Sequence, residues 1–80
     1  MDLDTRGWID QYAAALGSPS VSEEDVNTLL ALAGIAAHAS ERTAAPISCY
    51  LAARSGLPAT EALARARELA AEVAGPGDPA

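Results

Sequence analysis

Glycine and proline cut this chain into four stretches, and each stretch repeats its apolar residues at intervals of three and four. Such spacing collects apolar side chains on one side of a helix, whereas a half-buried strand needs alternation. The breaks fall at Gly17-Ser18-Pro19-Ser20, at Pro46, and at Gly56-Leu57-Pro58. No stretch alternates apolar and polar residues long enough to specify a strand. The expected fold is therefore all-α: a compact four-helix bundle with helices over residues 5–16, 22–40, 46–55 and 58–74. Residues 1–74 are expected to form one helical domain, and 75–80, rich in glycine and proline, a disordered tail.

Local chemistry supports each boundary. Asp4 or Thr5 can cap the first helix, and Gly17 supplies its stop. Ile9, Tyr12, Ala13 and Leu16 share one face, with Trp8 beside it. Ser22 opens the second helix, and Glu23, Glu24 and Asp25 then place negative charge at the positive end of the helix dipole. Ser22 and Asp25 have capping-box spacing, and Val21 and Val26 stand where a hydrophobic staple would be. The second helix is apolar over most of its circumference, so it belongs at the centre. Gly34 inside it costs about 1 kcal/mol relative to alanine unless another helix packs tightly there. Pro46 suits the first turn of the third helix, whose inward face would carry Ile47, Tyr50 and Leu51. In the fourth, Ala62, Leu63, Ala66, Leu69, Ala70 and Val73 form a seam expected to pack on Val26, Leu29, Leu30 and Ala33.

Charge narrows the function classes. Eleven acidic residues face five basic ones, all arginine, for a net charge of −6. Such a chain is repelled by phosphate backbones and anionic lipid, so neither nucleic acid nor membrane is an expected partner. No apolar run reaches the ~20 residues of a membrane span, and the start Met1-Asp2-Leu3-Asp4 lacks the character of a signal peptide. Cys49 is the only cysteine. It can form no intrachain disulfide, and a lone thiol fits a reducing cytoplasm. The expected location is cytoplasmic.

The chemically richest stretch is Ala37 to Leu51. His38 and Arg42, four residues apart, share a face near the end of the second helix, and Ser48 lies in the first turn of the third. Two such side chains beside free helix N–H groups could hold a small anion or contact a partner. The structural alternative makes Arg42 a cap for the last carbonyls of the second helix and His38 a partly buried residue bonded to a backbone carbonyl. Nothing else resembles a site. One histidine without an HExxH pattern makes no zinc centre, and the Glu23-Glu24-Asp25 cluster lacks the ligand spacing of a calcium loop. Cys49 between apolar neighbours reads as a boundary thiol rather than a nucleophile. No catalytic, metal or cofactor site is expected, and the chain reads as a non-enzyme. Exposed alanine-rich faces are compatible with a homodimer.

The segments WIDQYAAALG, SEEDVNTLLALAGIAAHASER and AAPISCYLAARSG resemble a small actinobacterial domain family of unknown function. The most specific part is His38, Glu41-Arg42 and Ala45-Pro46, followed by Tyr50-Leu51. Similar segments are found attached to molybdopterin-guanine dinucleotide biosynthesis proteins of the molybdenum cofactor guanylyltransferase type. The resemblance implies an accessory role beside such a protein partner. It implies no nucleotide binding, because the enzyme's nucleotide motif has no counterpart here.

Overall fold

The computed structural model describes residues 4–74. It contains four helices: α1 (Thr5–Ala15), α2 (Glu23–Ala39), α3 (Ala44–Ser55) and α4 (Ala59–Ala74). No strand occurs among the described residues. The all-α, four-helix expectation is met. The expected tail at 75–80 lies outside the described residues.

Three of the four helix starts follow the expected chemistry. The Asp4 carboxylate accepts a bond from the Gly7 amide at 2.7 Å, which caps α1. Ser22 Oγ accepts from the Asp25 amide at 3.0 Å and caps α2. The Pro58 carbonyl accepts the first α4 bonds, from Glu61 and Ala62, both at 3.0 Å. The exception is α3, which begins two residues before the expected Pro46. The Ala44 and Ala45 amides bond to the Glu41 and Arg42 carbonyls, at 2.8 and 3.1 Å, so a tight turn runs straight into the helix. Pro46 is tolerated there because the amides of a helix's first turn have no intrahelical partner to lose.

The C-terminal end of α1 is a Schellman turn. Gly17, at φ +70°, lets the Ser18 amide reach back to the Ala13 carbonyl at 2.9 Å, while its own amide bonds Ala14 at 3.0 Å.

Packing is organised by α2, which lies against both α3 and α4; those two touch each other much less. At the centre sit Leu32, 4% exposed, and Ala62. The expected seam on α2 is corrected here. Leu30 is 62% exposed. Leu32 takes the central place, and Ile35, Ala36 and Ala39 continue its face. Two residues along a helix is a rotation of roughly 200°, so Leu30 and Leu32 point nearly opposite ways. The apolar circumference of α2 offered both faces equally.

The inward face expected for α3 is corrected as well. Ile47, Tyr50 and Leu51 are exposed, whereas Ala45, Ser48, Cys49 and Ala52 are half-buried. Small residues turn toward α2, which lets the two helices approach closely, and the large ones turn out.

Helix α1 stands apart from this assembly and packs closely on none of the other three helices. The fold is elongated in consequence, 50 × 28 × 19 Å.

Candidate functional site: an apolar groove and an arginine clamp

The spreading of α3 and α4 over α2 leaves a groove. Its floor is Leu32, and Ser48 of α3 and Ala66 and Leu69 of α4 form its walls. One compartment, about 400 Å³, runs toward Ala39 and Val73. The other, about 260 Å³, runs toward Leu57 and Ala62. The walls are mostly apolar, with Arg65 the charged exception in the second compartment, and Leu69 and Val73 remain 59% and 62% exposed. Leucine and valine at that exposure, in a concave surface, have the character of a contact site rather than a finished surface.

A second feature was not visible in the sequence. Arg6 of α1 ties that helix to the start of α2. Its Nη2 donates to Asp10 at 2.8 Å, to Ser20 Oγ at 2.8 Å and to the Val21 carbonyl at 2.6 Å. Its Nη1 lies 3.4 Å from the Glu23 carboxylate. Ser20 Oγ donates in turn to Asp10. The Asp10 carboxyl is held below its ordinary value, first by the Arg6 guanidinium and then by Ser20. Arg6 is raised above its ordinary value, chiefly by its bond to Asp10. Only the four-residue spacing of Arg6 and Asp10 hinted at this; the loop contacts depend on how Ser18-Pro19-Ser20 turns.

The apolar face expected on α1 exists but is mostly uncovered. Ile9 and Ala13 are half-buried, while Trp8, Tyr12 and Leu16 are exposed, Trp8 at 59%. The rings of Trp8 and Tyr12 stack on each other, centroids 5.8 Å apart and 10° from parallel.

The sequence-derived candidates are dispersed. Ser48 lines the groove; His38 and Arg42 do not. His38 is exposed rather than partly buried, and its Nδ1–H donates to the Gly34 carbonyl at 2.8 Å, so the expected backbone bond is present without the expected burial. Arg42 is exposed and enters none of the ion pairs among the described residues, which join Arg6 to Asp10 and Glu23, and Arg65 to Glu61. The α2 terminus closes without it, through the Ser40 amide on the Ala36 carbonyl. Cys49 is half-buried, its Sγ 3.8 Å from the Leu29 carbonyl, and burial raises its thiol above the ordinary value. That is the opposite of an activated nucleophile. Among the described residues no three His, Cys, Asp or Glu side chains gather to hold a metal ion, and no helix is long and apolar enough to cross a membrane.

The family model for a domain of unknown function, DUF6457, matches residues 2–78. The chain belongs to that family. The match spans all four helices, so the groove and the arginine clamp both lie within the family domain. No curated protein and no solved structure matches the chain.

Proposed function

We propose that this DUF6457 domain is a non-enzymatic protein-interaction module whose α2–α4 groove receives an amphipathic helix. The observation that supports the reading is the groove itself: an apolar trough floored by Leu32, with Leu69 and Val73 left in water. An amphipathic helix laid into such a trough buries its own apolar stripe and completes the layer that α3 and α4 leave open. The molybdenum cofactor guanylyltransferase-type proteins stand as the first partners to test. That choice and an actinobacterial setting rest on the sequence resemblance alone, and a cytoplasmic setting on the lone Cys49 thiol and the character of the N-terminal residues.

Amide chemical shifts of the labelled domain test the proposal directly. Adding a guanylyltransferase-type protein is expected to move the resonances of Leu32, Ser48, Ala66 and Leu69. The competing reading is an anion site at His38, Arg42 and Ser48. It requires phosphate, nucleotides or pterin phosphates to move those three residues while the protein leaves the groove unchanged. That outcome would overturn the module.

A further inference from the structure

We propose that the groove is filled by α1 of a second copy of this chain, in a reciprocal, two-fold exchange. The inference rests on the interaction-module reading and names the occupant of its groove.

Each chain carries a trough without a helix and a helix without a trough. Along α4 the trough extends from Ala62 to Val73, roughly 16 Å at the helical rise. Helix α1 has 11 residues, also roughly 16 Å. Its uncovered stripe is aromatic and aliphatic: Trp8, Tyr12 and Leu16, at the four-residue spacing that presents side chains in a line. Aromatic anchors in an apolar pocket are the pairing on which interface cores are built.

A chain cannot fill its own trough in this conformation. The clamp fixes α1 at Ser20, Val21 and Glu23, where α2 begins. The larger compartment lies against the far half of α2, from Leu32 to Ser40. From Glu23 to Ala36 is roughly 20 Å along the axis. The clamp therefore holds α1 away from its own groove and available to another copy.

Charge does not oppose the exchange: the α1 stripe is uncharged and the charged residue lining the groove is Arg65, so no like-charge pair is brought together there between two chains of net charge −6.

Sedimentation equilibrium of the full chain tests the exchange with two variants, Tyr12→Glu on the helix and Leu69→Glu in the groove. Both positions are exposed in the single chain, so both variants are expected to keep their helicity by circular dichroism. The wild type is expected to dimerise, and each variant alone to associate more weakly, on the order of thirtyfold or more. Mixed together, the two variants are expected to form a one-to-one dimer. The Tyr12→Glu copy keeps an intact groove and the Leu69→Glu copy an intact helix, so one of the two exchanged contacts survives. Dilution of the wild type, read by red-shifting Trp8 emission, supplies a measurement that needs no variant. A wild type that stays monomeric at about 100 μM would overturn the exchange, as would a Tyr12→Glu chain that dimerises like the wild type. If the groove of such a monomer still responds to a partner protein, the interaction-module reading survives alone; if it is silent to every protein added, both fall.

Discussion

Helices α2, α3 and α4 are held together by apolar packing around Leu32 and Ala62, whereas α1 is held to the start of α2 chiefly by one guanidinium, beside a small cavity where Ile9 faces Val26. The difference matters because the two kinds of contact fail differently. Apolar burial is insensitive to pH and costly to carve away. A cluster of exposed polar bonds around a single arginine contributes little per bond and depends on every charge staying in place. The molecule thus joins a small core to an arm whose position is set by polar chemistry at one end. The arm's apolar stripe is free because the clamp, rather than that stripe, provides the attachment.

The largest expected effect sharpens this contrast within the core. Leu32→Ala should cost about 2–5 kcal/mol, a large part of what a domain of this length has. Chemical denaturation should show the midpoint collapsing. Leu30→Ala, two residues away and pointing outward, should stay within about 0.5 kcal/mol of wild type. Equal losses at both positions would mean that α2 is buried all round and that the groove face is wrongly assigned.

The next effect separates the arm from the core. Arg6→Met removes five donors while keeping much of the aliphatic stem. Amide hydrogen exchange in α1, Thr5–Ala15, should accelerate toward that of a free helix, since a helix this short is marginal alone. Exchange at Leu32 and its neighbours should stay slow. If protection falls equally in α1 and α2, the two regions form one cooperative unit and the comparison fails.

How much of this could be read in the residues follows from what each part depends on. The caps at Asp4 and Ser22 and the stop at Gly17 are local, set by chemistry within a few positions, and they were legible. The start of α3 was missed by two residues because proline marks a first turn without saying which place in that turn it occupies. Inward faces were harder. On α2 apolar residues surround the axis, so periodicity could not choose Leu32 over Leu30. On α3 the rule that large apolar residues point inward failed at Ile47, Tyr50 and Leu51, where close approach to α2 selects Ala45, Ser48 and Ala52 instead. Tyr50 lies on the outside against the Arg54 guanidinium, 5.8 Å from the ring centre, a pairing available on a helix surface. Of the candidate site, only Ser48 lies in the groove. The groove is a tertiary consequence of how α3 and α4 spread, and no residue announces it. The clamp was hidden for a similar reason: its acceptors come from a loop.

Acid should loosen the arm before the core. Asp10 has its carboxyl below the ordinary value of 3.8 because Arg6 and Ser20 bond the charged form. A group with a lowered folded value contributes its stability above the unfolded value and loses it as pH falls through the folded one. The clamp should therefore stay intact as pH falls to the ordinary carboxylate value and open only as pH drops through the lower folded value, where Asp10 protonates. The Arg6 Nε–H resonance reports the event directly, and Trp8 emission reports the helix. Asp10→Asn should remove that carboxylate's titration from the Arg6 signal. An Arg6 signal that keeps the same titration in Asp10→Asn would assign the event to another carboxylate.

The smallest effect tests whether α2 contains a deliberate close approach. Gly34 was expected either to admit a neighbouring helix or to cost stability. A methyl group built at Gly34 meets no atom within 4 Å, so no helix needs the gap. Its carbonyl, which accepts the His38 ring bond, is unaffected by a side chain at that residue. Gly34→Ala should then stabilise the domain by about 0.4–1 kcal/mol, mainly by restricting the unfolded chain. Gly56 also has open space, but its φ of +78° is left-handed, where alanine is strained. Gly56→Ala should cost roughly 1–2 kcal/mol. The two substitutions add the same methyl group to two uncrowded sites, and thermal denaturation should move in opposite directions. Destabilisation at Gly34 would mean that something does pack there, and a second copy of the chain, absent from the single-chain environment that leaves the site open, is the first place to look for it.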